Sequence, residues 1–191
     1  MAKTRLIPAL GAEGAGILAQ RMLAHALQQA LAAGVGPVEL CMTPAPGHPT
    51  WKNTALPDAV LRSDQGDGDL GERMARAICR VTARLPVLLM GADCPGLTAA
   101  HIAEAARQLQ VHDAVLLPVA DGGYVLIGLK APCNELFTSM QWSTPAVAAE
   151  TLRRMQALGL RVWLGPQLHD IDEPADLVHL PVGFCSFPCS S

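Results

Sequence analysis

The 191-residue chain has no run of basic residues and a formal charge of −3. It therefore lacks the positive face with which proteins track nucleic acid. No apolar stretch approaches the ~20 residues that cross a bilayer. Met1 to Arg5 lack the apolar segment of a secretory signal, so a cytoplasmic protein is expected. Of the six cysteines, Cys41, Cys79, Cys94, Cys133, Cys185 and Cys189, only the last two lie close together, and no second pair completes a zinc set. The six histidines show no metal-ligand spacing, and there are no internal repeats. Charged residues make up only 16% and hydrophobic ones 50%, the composition of a packed domain rather than a disordered chain. The length suits one domain, expected over residues 1–180, with an irregular tail over 181–191.

The stretch around which the chain is organised runs from Leu85 to Thr98. Its apolar run, bounded by Pro86 and Gly91, predicts a strand buried on both faces. Asp93 follows in a turn held by Pro95 and Gly96, and Thr98 can cap a helix beyond. Ligands of open α/β sheets bind past the carboxyl ends of the strands, where Asp93 would stand. Around this centre the spacing predicts a helix over Glu13–Ala33 stopped by Gly34, and strands at Val38–Met42 and Asp58–Arg62. Asp69 and Glu72 form the capping pattern of a helix that carries Met74, Ile78 and Val81. Strands follow at Ala114–Leu117 and Tyr124–Leu129. The link between them is too short for a crossover helix, so one must run antiparallel. A helix opened by Trp142 to Pro145, a strand at Leu160–Leu164 and a terminal helix after Asp170 complete the chain. The expected architecture is an α/β/α three-layer sandwich on a mixed, mostly parallel sheet.

Several polar segments interrupt this apolar pattern. Lys3-Thr4-Arg5 offers two cations for a phosphate, or else is a solvated terminus, which composition alone favours. Gln65 to Gly71 holds glycines that let backbone approach a ligand, but it lacks the lysine and hydroxyl of a P-loop. Asp93, with Asp170 and Asp172, fits the need of Mg²⁺ for one or two protein carboxylates completed by water and substrate phosphates. For Asp172, capping of the helix before Pro174 is an equal alternative. Asp121-Gly122-Gly123 can be a turn or a contact to a sugar or acceptor hydroxyl. Cys94 lacks a nearby base, which argues against a nucleophile, and His169 has only its place beside Asp170 in its favour.

Taken together, Lys3-Thr4-Arg5-Leu6, Gln65 to Met74, Gly91 to Leu97, Asp121 to Tyr124 and Asp170 to Leu177 resemble a bacterial family of GT-A-like transferases of undetermined substrate. That family is related to the nucleotidyltransferases that build molybdopterin dinucleotides and activate phospholactate. The resemblance spans Lys3 to about Leu180. It implies a nucleotide-diphospho-sugar transferase fold and Mg²⁺-dependent chemistry, with Mn²⁺ as a substitute, on a nucleoside triphosphate or nucleotide sugar. It makes Asp93 and Asp172 the metal carboxylates, and Lys3, Arg5 and Asp93 the catalytic group. It places Gln65, Gly66, Gly68 and Gly71 with Lys3 and Arg5 on the nucleotide, and Asp121, Gly122 and Trp142 on the acceptor side. Members of that family begin with a buried strand that has no counterpart before Lys3, so the central slot is expected to be closed up or filled. A second copy in a homodimer, through its Pro181 to Ser191 tail, or residues upstream would fill it. The alternative function is a nucleotide-binding protein of the same fold without catalysis.

Overall fold

A computed structural model describes residues 3–52, 54–82, 85–182 and 184. A short 3-10 turn, Thr4–Leu6, leads into helix α1, Ile7–Ala33. The helix begins six residues before the expected Glu13, across a kink: Gly11, at φ 69° and ψ 168°, breaks it and re-aims the first turn. Gly34, left-handed at φ 63°, ends α1 as anticipated. Strand β1, Glu39–Met42, pairs in parallel with β2, Leu61–Asp64, which begins three residues later than the sequence indicated because Pro57 to Val60 form a turn.

Helix α2, Leu70–Thr82, is capped as predicted: Asp69 Oδ1 accepts from Glu72 N at 2.9 Å, and Glu72 Oε2 from Asp69 N at 2.8 Å. Strand β3, Val87–Met90, leads through the Asp93 turn to α3, Ala99–Val111, capped by Thr98. Strands β4, Ala114–Pro118, and β5, Tyr124–Leu129, are antiparallel neighbours. Helix α4, Val147–Ala157, starts after Pro145 rather than on it. Strand β6, Val162–Leu164, precedes a 3-10 turn, Pro174–His179, where a terminal helix was expected.

The larger sheet has the order β3-β5-β4-β6. Three of its strands point the same way, but β5 lies reversed between β3 and β4, so two of its three ladders are antiparallel. The sheet is mixed as expected, but its pairing is mostly antiparallel rather than mostly parallel. Side chains of β4 alternate between two cores, as a strand's period of two requires. Val115 and Leu117 join Ile102, Ala105 and Leu109 of α3, with Ala30 and Ala33 of α1 alongside. Ala114 and Leu116 join Ile78 of α2 and Met155 of α4.

The β1–β2 pair forms a separate sheet. Among the described residues neither β1 nor β3 has a second ladder partner, so the expected closing-up of the sheet does not occur. This also corrects the burial of the organising strand. Val87, Leu88, Leu89 and Met90 are half-buried, not sealed on both faces, because β3 is an edge. Of the tail, residue 183 and residues 185–191 lie outside the described residues. Among the described residues no helix is long and apolar enough to cross a membrane.

Candidate functional site: carboxylates around the Lys3 ammonium

The site is assembled by one fully buried side chain, Ile171. It packs in a cluster with Leu6, Ala15, Leu18 and Met22, all at most 2% exposed. Its N–H donates to Asp93 O at 2.9 Å, fixing the segment after β6 to the loop after β3. Because Leu6 shares that core, the Lys3–Arg5 segment is brought to the same place. The solvated terminus favoured by composition is therefore not what folds.

Lys3 sits in the left-handed region at φ 58°, with its carbonyl accepting from Leu6 N at 3.0 Å. Its Nζ reaches Asp93 Oδ2 at 3.3 Å and Asp172 Oδ1 at 3.0 Å. The lysine side chain is 10% exposed, the two carboxylates 45% and 43%. Arg5 donates to the other oxygen of Asp172 at 3.0 Å and lies 3.6 Å from Glu173. Asp172 is not the helix cap. Glu173 takes that role in a reciprocal pair with Asp176, whose Oδ2 accepts from Glu173 N at 2.7 Å and also from Asp172 N at 2.9 Å.

Beside this cluster opens a cavity of about 250 Å³, walled by Asp93, Asp121 and Asp170 on one side and by Met74, Tyr124 and Trp142 on the other. Three carboxylates share its polar wall, and the effect shows on Asp170. Burial first, then the negative charges of Asp121 and Asp93, push its carboxyl up to about 6, against a smaller opposing pull from Lys3. Asp121 also accepts from Gly123 N at 2.7 Å, making the turn that was its alternative reading. Gly122, at φ 92°, abuts the Pro145 carbonyl, and its own carbonyl accepts from Ala148 N at 2.8 Å. It is therefore the joint between the β4–β5 turn and the start of α4. Trp142 Nε1 is buried without a hydrogen-bond partner among the described residues, and a Cβ on Gly71 would come within 2.9 Å of it. Gly71 thus makes room for the indole.

Gln65 is tied down by Cys41 O at 3.1 Å and by Arg73 at 3.0 Å, while Arg76 donates to Gln65 O and to Asp67 O. Gly66 and Gly68 carry this loop in the left-handed region, at φ 72° and 106°. Arg73 and Arg76, which hold the loop, were not singled out from sequence. The signal was present, since residues three apart on a helix share a face, but Arg73 meets the Gln65 side-chain oxygen and Arg76 the Gln65 and Asp67 carbonyls, partners that no pattern marks. Burial raises the Cys94 thiol to about 11, and its Sγ donates to His169 O at 3.1 Å, so no thiolate is available at neutral pH. The His169 ring stacks on His179 at 3.8 Å.

Among the described residues no three or more His, Cys, Asp or Glu side chains are arranged to hold a metal ion. Two carboxylates do converge on one cation, the Lys3 ammonium. That donor set fits Mg²⁺ or Mn²⁺, which take one or two carboxylates and complete their shells with water and phosphate oxygens.

The fold defines the class. Over 92% of this chain and 78% of the other, it matches a crystal structure from Desulfovibrio desulfuricans G20, of a "putative nucleotide-diphospho-sugar transferase", with a TM-score of 0.84 and 30% sequence identity. The chain belongs to the family described as "Uncharacterized protein conserved in bacteria (DUF2064)", whose model matches residues 26–144. That span holds Asp93, the 65–71 loop, Asp121, Gly122 and Trp142, and leaves Lys3, Arg5, Asp170 and Asp172 to the flanks. No curated protein matches the sequence.

Proposed function

We propose that this protein is a divalent-metal-dependent transferase of the three-layer GT-A type. Its donor is an activated nucleotide, a nucleotide sugar or nucleoside triphosphate, and its acceptor occupies the cavity beside Asp93. The observation that carries this is the convergence of Asp172, Lys3 and Arg5 with Asp93, which also lines that cavity, in a fold like that of the Desulfovibrio protein. A donor diphosphate needs cations at its oxygens, and an acceptor needs a walled space next to the atom under attack.

Mg²⁺ or Mn²⁺ held by Asp93 and Asp172 would neutralise charge on the donor's phosphate oxygens. Arg5, 62% exposed, is free to turn from Asp172 to a phosphate and bind it with two N–H groups. Gln65 to Gly71 would pass along the nucleotide, with Gly66 and Gly68 exposing backbone to it. Across the cavity, Asp121 and Asp170 can accept hydrogen bonds from acceptor hydroxyls, and Trp142, Tyr124 and Met74 give an apolar wall for a ring. The acceptor oxygen then attacks either the donor's anomeric carbon, releasing a nucleoside diphosphate, or its α-phosphorus, releasing the remaining phosphate part.

A thermal-shift screen of nucleotide sugars and nucleoside triphosphates, each with Mg²⁺, followed by phosphorus NMR of the stabilising mixtures, tests this. At a ligand concentration 100-fold above Kd the stabilisation is about 2.7 kcal/mol. For a protein of this size that amounts to roughly 5–11 °C. The expected result is such a shift, lost in Asp93→Asn, with slow donor consumption. A shift without turnover across all acceptors tried would make the protein a nucleotide-binding module. No shift with any donor would remove the proposal.

A further inference from the structure

We propose that Lys3 is an exchangeable internal cation. Its ammonium neutralises Asp93 and Asp172 in the ligand-free protein, competes with the divalent ion for them, and yields the position when phosphate draws it away. This rests on the assignment of Asp93 and Asp172 to the metal.

Three features support it. First, the ammonium lies at the point where the two carboxylates converge, 3.3 and 3.0 Å from their oxygens. A divalent ion at about 2.0–2.1 Å from those oxygens could not share that space with an ammonium, and the two cations would repel. Second, anchor and head are separable. The Lys3 backbone is pinned by Leu6, which is fully buried, while the charge rides on a flexible four-carbon stem. The ammonium can therefore leave without unfolding the segment, and the left-handed backbone it keeps is costly for a non-glycine residue, as at many ligand clamps. Third, among the described residues Lys3 and Arg5 are the cations paired with Asp93, Asp172 and Glu173, and Asp121 and Asp170 share the adjoining cavity wall with Asp93. Such an excess of carboxylate favours a cation there at all times, so removing one cation without supplying another is unfavourable. Exchange, rather than vacancy, is the natural transition.

The functional consequence is synergy. A diphosphate that takes over Lys3 frees the carboxylates for metal, and by linkage the metal raises diphosphate affinity by the same factor. Metal alone would bind weakly.

The test is direct Mn²⁺ binding, by electron paramagnetic resonance of the free ion, to the full chain, Lys3→Met, Lys3→Arg and Lys3→Met/Asp93→Asn, with folding checked by circular dichroism. Lys3→Met should bind Mn²⁺ about tenfold tighter than the parent, equal to about 1.4 kcal/mol. Lys3→Arg should bind like the parent, and the double variant should lose the gain. Equal or weaker Mn²⁺ binding by Lys3→Met, with that binding still abolished in Lys3→Met/Asp93→Asn, overturns the exchange and leaves the metal site standing. Mn²⁺ binding by none of these proteins overturns both. A second measurement does not depend on any variant. The chain has only two other lysines, Lys52 and Lys130, so the Lys3 Cε resonance can be followed as Mg²⁺ and inorganic pyrophosphate are added. It should move on saturation, and a Lys3 signal unmoved while Mg²⁺ binds refutes the exchange.

Discussion

Replacing Gly122 by alanine separates a joint of the fold from a contact to ligand. The added Cβ would lie 2.1 Å from the Pro145 carbonyl oxygen and 2.5 Å from its carbon, both backbone atoms that no rotamer change can move aside. The φ of 92° is itself unfavourable for an L side chain, at roughly 1–2 kcal/mol. Forcing α4 outward adds about 1–3 kcal/mol of overpacking strain. Weakening the 2.8 Å bond from Ala148 N to Gly122 O adds about 0.5–1.5 kcal/mol. These costs overlap, and about 4 kcal/mol is a fair central value, a large share of the ~5–15 kcal/mol that holds a domain together.

The control is Gly159→Ala. Gly159 is also left-handed, at φ 71°, but a Cβ there meets nothing within 4 Å, so only the backbone term of about 1–2 kcal/mol applies. At roughly 2–4 °C per kcal/mol for a chain of this length, calorimetry should place Gly122→Ala about 8–16 °C below the parent and Gly159→Ala about 2–8 °C below. The difference measures the collision with Pro145. Equal losses in the two variants would show that α4 yields freely, and the account of Gly122 as a fixed joint would fail.

Asp170→Asn should raise the melting temperature at pH 7.5 and leave it unchanged near pH 3. The Asp170 carboxyl is raised from the usual 3.8 to about 6, so the native protein holds a proton that the unfolded chain has released. Charging it costs stability as pH rises between those values, and equal melting curves at both pH values would refute the crowding of the three carboxylates. Ile171→Ala should destabilise by about 3 kcal/mol, within the 2–5 kcal/mol range for a fully buried Ile, and Ile171→Val by about 0.5–1.5 kcal/mol. A loss under about 1 kcal/mol by urea titration of the alanine variant would mean that Ile171 does not pin the site. Asp176→Ala should cost about 1 kcal/mol, because it removes the carboxylate that accepts from Asp172 N and Glu173 N at the start of the last turn. Asp172→Asn should cost less, since it loses only partly exposed ion pairs of about 0.2–1 kcal/mol each. The reverse order in denaturant melts would show that the Lys3 and Arg5 pairs outweigh the backbone bonds of the turn, since asparagine caps as well as aspartate.

What the sequence determined by itself is what lies within one turn or one strand. The Asp69/Glu72 and Thr98 caps, the end of α1 at Gly34 and the reversal between β4 and β5 each depend on residues a few positions apart. Local sterics and hydrogen bonding decide such features before any packing is formed. Motif residues were legible too, because Asp93 follows an apolar run and glycines cluster at 66, 68 and 71. Tertiary structure alone decided their partners. Lys3 meets Asp93 and Asp172 across 90 and 169 positions, and nothing at those distances is periodic. The buried pair Leu6 and Ile171 closes that gap, and hydrophobic contact carries no directional signal in the sequence. The strand Val87–Met90 shows the same limit from the other side. Its apolar run was readable, but whether it lay at the centre or the edge of the sheet depended on which neighbour supplied the second ladder. The role of Asp172 turned on the same physics. Capping and ion pairing use the same carboxylate, and the choice went to the ammonium and guanidinium that folding delivered to it, while Asp176, four residues on, took the backbone N–H groups.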